Sequence, residues 1–236
     1  MNERDTSFLQ NVAVRERTIL KNVYLWMTAG LGLTAIIAFF IASNPSLLRA
    51  IVGNTMGFFL VVIGQFALVF YLSARLDRMS QMSAIIAFLA YSALNGIMLS
   101  TIFAVYAGVV IYKTFFTTAL MFGGMSLYAM TTKRDLNRMG SYLVMGLWGL
   151  IGASLINLFF RSSGLDYLIS FIGVGIFLGL TAYDTQKIIR MNQQYGSSID
   201  EEAFTKLSII GALSLYLDFL NLFLYLLRIF GRSNNR

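Results

Sequence analysis

Long apolar runs recur along the whole chain, and short polar segments separate them. Each run is long enough to cross a hydrocarbon core of ~30 Å as a helix that rises about 1.5 Å per residue. The alternating pattern of a membrane β-barrel is absent, and only helices would then satisfy the backbone in lipid. The pattern predicts an all-α polytopic membrane protein with seven transmembrane helices: Asn22–Ala42, Met56–Ala74 (with a backward extension toward Leu48 left open), Met82–Tyr106, Val109–Met130, Tyr142–Phe160, Tyr167–Ile189 and Leu207–Phe230.

The polar segments divide the chain into three parts. Residues 1–21 are predicted to form a cytoplasmic N-terminal tail, residues 22–230 the transmembrane domain and residues 231–236 a short C-terminal tail. One connection is longer than the others: Asn192–Lys206 is rich in Gln, Ser, Asp and Glu. We predict that it forms a mobile lid or a short helix at the cytoplasmic surface.

The distribution of positive charge predicts the orientation in the membrane. Twelve of the 18 Lys and Arg residues lie in the N-terminal tail and in the loops on that side, and six lie on the opposite side. Cytoplasmic segments carry the excess of Lys and Arg, so the N-terminus is predicted to be cytoplasmic and the C-terminus external, in the cytoplasmic (inner) membrane of a cell. A six-span alternative with a re-entrant last segment would place the C-terminal basic cluster inside.

The amino-acid composition limits the kinds of catalytic and metal-binding site that the chain could form. Of the 236 residues 57% are hydrophobic and 12% charged, and the chain has no cysteine and no histidine. Disulfides, thiol catalysis and the commonest metal ligand and general base are therefore excluded. The net charge of +7 is explained by the basic loops, so nucleic-acid binding is not predicted. We expect neither an enzyme nor a bound cofactor.

The last apolar run carries a stripe of small and polar residues. Their spacing of three or four places them on one helix face, which in lipid turns toward the bundle interior or a water-filled cavity. We therefore predict that the seventh helix is central and that six helices surround it. The stripe comprises Gly211, Ser214, Asp218, Asn221, Tyr225 and Arg228.

Two aspartates, Asp184 and Asp218, lie inside predicted spans. An ionised Asp at a helix centre costs roughly 2.5–3.5 kcal/mol on insertion scales, so such residues indicate function. Their axial offset is on the order of 8 Å, which helix tilt could close. A pair sharing one site would titrate together and could exchange protons for a cation.

Alternatively, Asp184 caps its span or pairs with Arg75, Arg78 or Lys187. A di-aspartyl protease fits poorly, because no Gly-Leu-Gly-Asp motif is present.

Four segments of the chain form a recognisable set of motifs. They are Ser126-Leu127-Tyr128 with residues 131–136 (TTKRDL), residues 179–187 (GLTAYDTQK), residues 212–223 (ALSLYLDFLNLF) and residues 227–231 (LRIFG). These segments resemble the bacterial branch of the Bax-inhibitor (transmembrane Bax inhibitor motif) family, and the resemblance covers almost all of the chain after the tail. It implies a seven-helix fold with six helices around the last, an association with pH-dependent calcium leak, and a di-aspartyl sensor at Asp184 and Asp218.

The resemblance also implies a latch, in which an arginine near the cytoplasmic end of the second span bonds to the sensor. Arg75 is the first candidate and Arg78 the alternative. The family pattern has an acidic partner on the second span, whereas the nearest residue in this chain is Gln65, which cannot carry charge. Gating is therefore expected to differ in detail.

Three functions follow from these observations. The first is a passive, proton-gated calcium leak, in which Asp184 and Asp218 contact the ion and water or carbonyl oxygens complete a shell of roughly 6–8 ligands. The second is a non-conducting adaptor that binds another membrane protein, such as a membrane protease, through its tail and the Asn192–Lys206 loop. The third is a proton-coupled carrier, which the lack of internal repeats disfavours. The expected partners are the lipid bilayer, calcium and a membrane protein.

Overall fold

The structure is a computed structural model that describes residues 3–51, 53–75, 78–195 and 200–233. The side chains of residues 3–18, 194–195 and 232–233 are not described. Within these ranges the chain forms eight α-helices and no strand. They are α1 (Glu3–Ala42), α2 (Pro45–Ile51), α3 (Thr55–Arg75), α4 (Gln81–Val105), α5 (Gly108–Thr131), α6 (Asn137–Phe160), α7 (Ser163–Tyr195) and α8 (Glu201–Ser233).

Seven of these helices contain a segment long and apolar enough to cross a membrane. This confirms the predicted all-α polytopic membrane protein, and most span boundaries agree with the prediction within a few residues. The spans are Ile19–Ala42, Thr55–Arg75, Gln81–Val105, Gly108–Thr131, Asn137–Phe160, Ser163–Gln193 and Glu201–Gly231.

The backward extension of the second span toward Leu48 is wrong, because α2 is a separate short helix. Asn44 begins it: the side-chain oxygen of Asn44 accepts hydrogen bonds from the backbone N–H groups of Ser46 and Leu47 at 3.2 and 3.3 Å. Asn54 begins α3 in the same way and accepts from the N–H of Met56 at 3.0 Å. These two caps satisfy N–H groups that a helix start leaves free, so the chain restarts twice instead of continuing as one helix.

The prediction of a mobile lid or short helix at Asn192–Lys206 is also wrong for the described residues. Helix α7 continues to Tyr195 and α8 begins at Glu201, so most of this segment belongs to the ends of two long helices. The carboxylate of Asp200 accepts a hydrogen bond from the N–H of Ala203 at 2.8 Å and caps α8. Residues 196–199 lie outside the described part of the chain.

Both ends of the chain are helical where they are described. Helix α1 begins at Glu3, so the predicted tail boundary at residue 21 falls inside a helix. Helix α8 continues without a break to Ser233, whereas the six-span alternative with a re-entrant segment would need a broken helix. The predicted orientation of the two termini stays a prediction.

The chain forms two compact units, and α7 and α8 contribute residues to both. The first unit contains the chain up to Val105 together with Ile188–Tyr216, and the second contains Tyr106–Lys187 with the chain from Leu217 onward.

In the first unit α1 and α4 pack closely, because Gly30 on α1 leaves room for the ring of Phe88 on α4. A Cβ at residue 30 would lie 2.7 Å from that ring. The fully buried Tyr216 packs edge-on against Phe88, with ring centroids 5.8 Å apart, and its hydroxyl bonds to Thr34 at 2.7 Å. Thr34 also donates to the carbonyl of Ser92 or Gly30.

In the second unit the core lies where α5, α6 and α7 meet the later part of α8. Phe219 on α8 packs against two rings of α5, Phe115 and Phe122, with centroids 5.7 and 5.5 Å away. The last span is also the most buried: 67% of its most apolar window is buried, compared with 6–39% in the other spans. This burial agrees with the central position predicted for the seventh span.

Candidate functional site

The residues that flank Asp184 on α7 fix how this helix is rotated in the second unit. Successive side chains of an α-helix project about 100° apart, so the side chains of residues 183–186 point in different directions. The ring of Tyr183 lies over Gly140 on α6, where a Cβ would come within 2.5 Å of it. The hydroxyl of Thr185 donates to that of Ser126 on α5 at 3.5 Å. Contacts on both sides of Asp184 therefore hold its position.

Gln186 attaches the connection between α5 and α6 to α7. Its side-chain oxygen accepts a hydrogen bond from the N–H of Leu136 at 2.8 Å, and its side-chain nitrogen donates to the carbonyl of Arg134 at 2.9 Å. The turn is also bonded internally, since Thr132 accepts from the N–H of Arg134 and Asp135 accepts from the N–H of Asn137. Gln186 thus joins the two sequence motifs TTKRDL and GLTAYDTQK. Both motifs are visible in the sequence, but the contact between them was not predicted.

The structure brings Asp184 and Asp218 together in the second unit. Their carboxylates are close enough for a direct charge–charge interaction, and the charge of Lys187 also acts on Asp184. Asp218 is only 4% exposed, and its buried Oδ2 atom has no hydrogen-bond partner among the described residues. A buried polar atom without a partner costs free energy, which often indicates a functional site or an absent water or ion.

The polar stripe of α8 becomes more accessible from Asp218 toward the C-terminal end. Asp218 is buried, Asn221 and Tyr225 are half-buried, and Arg228 is exposed. The side chain of Asn221 donates to the carbonyl of Leu217 in its own helix at 2.8 Å. Ser214 and Gly211, the earlier members, belong to the first unit. Within the second unit the stripe therefore runs from a buried acid to an accessible base.

The outer members of the stripe form a cluster with the first turns of α7. The guanidinium of Arg228 lies 5.4 Å from the ring centroid of Tyr225 and 4.0 Å from a carboxylate oxygen of Asp166. Tyr225 stacks on Phe177 and lies against Gly173, where a Cβ would be 2.8 Å from its ring. Tyr225 and Arg228 were predicted from the spacing of the stripe, whereas Asp166 was not predicted, although an acid in the first turn of a span is a visible signal.

The comparisons with known proteins agree with these motifs. A sequence model of the family described as "Inhibitor of apoptosis-promoting Bax1" matches residues 16–235. The chain belongs to this family. This confirms the resemblance to the Bax-inhibitor family that the sequence motifs indicated.

Three similar bacterial proteins match this chain over more than nine-tenths of their own length. The Inner membrane protein YbhL of Escherichia coli K12 is 47% identical over 215 residues, which cover 91% of this chain and 92% of YbhL. An uncharacterized protein of Borreliella burgdorferi is 46% identical over 226 residues, 96% of each chain. The protein RP147 of Rickettsia prowazekii is 41% identical over 219 residues, 93% of this chain and 91% of RP147.

The latch expected in a Bax-inhibitor protein stays a prediction. Arg75 ends α3 and Arg78 follows it, both are exposed, and both belong to the first unit, whereas the aspartate pair belongs to the second. Gln65, at the position where an acidic partner was expected, is half-buried on α3.

A complete calcium shell is not built from acidic side chains in the described part of the chain. No group of three or more Asp, Glu, His or Cys residues comes together there. Asp184 and Asp218 supply at most four carboxylate oxygens, and calcium takes roughly 6–8. Backbone carbonyls, hydroxyls or water would have to supply the rest of a calcium shell.

Proposed function

We propose that this Bax-inhibitor protein is a passive, pH-sensitive calcium leak in a bacterial inner membrane, gated by the Asp184–Asp218 pair. The observation that carries the proposal is the buried carboxylate of Asp218, which lies within electrostatic range of the Asp184 carboxylate inside membrane-spanning helices and has one oxygen without a hydrogen bond among the described residues. Acids in membrane spans usually mark ion or proton pathways. The name of the relative YbhL supports the inner-membrane location.

The pair supplies both the pH dependence and the affinity for a cation. Two close carboxylates cannot both ionise without repulsion, so their protons belong to the pair rather than to either residue. A calcium ion that approaches the pair replaces protons, because both compete for the same oxygens. Changes in protonation then change the repulsion between α7 and α8, and the latch arginine, Arg75 or Arg78, is proposed to respond to that charge. No covalent chemistry is needed, and we propose that the protein is not an enzyme and uses no cofactor.

The test is calcium flux into liposomes that contain the purified protein. It is measured from about pH 8 to pH 5, a range that covers the pKa values of carboxylates in apolar surroundings. Wild type is compared with Asp184→Asn and Asp218→Asn. Asp200→Asn is the matched control, because Asp200 is exposed and its amide replacement can still cap α8. The proposal expects flux in wild type and a changed pH profile in both pair variants. Wild-type-like profiles in both variants would refute it.

A second candidate function is a non-conducting adaptor for another membrane protein, such as a membrane protease. One observation favours it: α1 begins at Glu3, well before the apolar segment that the sequence predicts to start at Asn22. An extended helix outside the span would offer a docking surface. Deleting residues 3–18 should then abolish the cellular phenotype and leave liposome flux unchanged. Absence of flux in wild type under every condition would favour this adaptor over the leak.

A further inference from the structure

An apolar groove of about 660 Å³ lies between the start of α5 and the end of α8 in the second unit. Tyr112, Lys113, Phe116 and Thr117 line it from two successive turns of α5, and Phe230 lines it from α8. Both helices are membrane spans, and the rings of Tyr112 and Phe116 are 69% and 60% exposed. The groove is therefore open on the surface that faces lipid.

Lys113 places a positive charge beside this groove. It lies five residues after the start of α5 at Gly108, which is about 8 Å along the helix, so it belongs to the span itself. Its side chain is exposed, and within the described ranges no acidic side chain forms an ion pair with it. A lysine at such a depth extends toward the headgroups or pairs with an anion, because a charge in hydrocarbon is costly.

We propose that the groove binds an anionic phospholipid, with an acyl chain against the aromatic walls and the phosphate accepting hydrogen bonds from the ammonium group of Lys113. The volume lies within the range of about 300–1,000 Å³ typical of ligand pockets. Contacts between the chain and the rings position the lipid, while charge complementarity selects its headgroup. A zwitterionic lipid carries its own ammonium group and is therefore attracted less. The attraction between one lysine near the membrane surface and anionic lipid is worth about 1 kcal/mol.

The test compares lipid binding to the purified full-length protein in detergent. Phosphatidylglycerol and phosphatidylcholine with identical acyl chains are titrated separately, and the shift in the thermal unfolding midpoint gives an apparent affinity for each. Wild type is expected to prefer phosphatidylglycerol. Lys113→Ala should weaken phosphatidylglycerol binding about fivefold and phosphatidylcholine binding by less, so that the preference falls, whereas Lys113→Arg should keep the preference.

Lys133→Ala is the matched control, because Lys133 is an exposed lysine just beyond the opposite end of α5. It should behave like wild type. A second variant, Val109→Trp, fills the groove from an exposed position and should weaken binding of both lipids. The proposal is overturned if Lys113→Ala keeps the preference, if Lys133→Ala loses it equally, if wild type responds equally to both lipids, or if inorganic phosphate alone reproduces the shift.

Discussion

The side-chain oxygen of Gln186 accepts a hydrogen bond of 2.8 Å from the backbone N–H of Leu136. Together with the bond from its side-chain nitrogen to the carbonyl of Arg134, it fixes the turn before α6 against α7. Asp184 lies two residues before Gln186 on the same helix. The position of Asp184 within the second unit therefore depends on a turn that is distant in sequence.

Gln186→Ala is expected to destabilise the protein by about 1–3 kcal/mol, because it leaves the buried N–H of Leu136 without its partner. Hydrogen exchange over residues 132–136 should also accelerate, since the turn loses its attachment. Gln65→Ala is the matched control on α3 and should not change exchange in this turn. Equal exchange rates in wild type and Gln186→Ala would contradict the assigned role.

Gly140→Ala should destabilise the protein by about 1–3 kcal/mol, because the added Cβ would lie 2.5 Å from the ring of Tyr183 and one of the two helices must shift. Gly149→Ala in the same helix has no neighbour within 4 Å, so it should be neutral or stabilising by up to about 1 kcal/mol. Unfolding in mixed detergent micelles measures both. The prediction fails if the two variants change stability by the same amount.

A double-mutant cycle tests the buried hydroxyl pair of the first unit. Thr34→Val leaves the hydroxyl of the fully buried Tyr216 without the 2.7 Å bond to Thr34 and should cost about 1–3 kcal/mol. Tyr216→Phe removes the hydroxyl that would otherwise lack this partner, so the double variant should be more stable than the sum of the two single changes predicts. Additive free energies of unfolding would show that this bond contributes nothing to stability.

Asp218→Asn is expected to raise the free energy of unfolding by about 1–3 kcal/mol, since it removes an acid that is buried and repelled by Asp184. Asp200→Asn, at an exposed cap that the amide can maintain, should change stability by less than about 0.5 kcal/mol. Reduced stability in Asp218→Asn would mean that the carboxylate makes a favourable structural contact, which would weaken its assignment as a functional acid.

The sequence was sufficient to predict the seven spans, because the length of an apolar run is the dominant signal in a membrane. It was less informative where one apolar segment followed another. The apolar residues of α2 lead into those of α3, and the interruptions are marked by the short pairs Asn44-Pro45 and Gly53-Asn54. The polar composition after Asn192 wrongly indicated a lid or a short helix. Asp200 followed by Glu201 and Glu202 is a helix-start signal, and it correctly indicates that the long helix α8 begins there.

The candidate site was predictable only in part. Asp184 and Asp218 were identifiable because acids are rare in spans, and the spacing of α8 placed Tyr225 and Arg228 on the same face as Asp218. The contacts of Gln186 were not predictable, because a bond between a side chain and a backbone fifty residues away leaves no periodic pattern. The same is true of Gly140, whose role depends on the ring that approaches it.

The central claim is that Asp184 and Asp218 act as one unit in gating, and a double-mutant cycle on calcium flux tests it most directly. Flux into liposomes is recorded over about pH 8 to pH 5 for wild type, Asp184→Asn, Asp218→Asn and the double variant. We predict that the double variant has the same pH profile as the more affected single variant, because either change already breaks the shared titration. Independent, additive changes in the profile would contradict the claim.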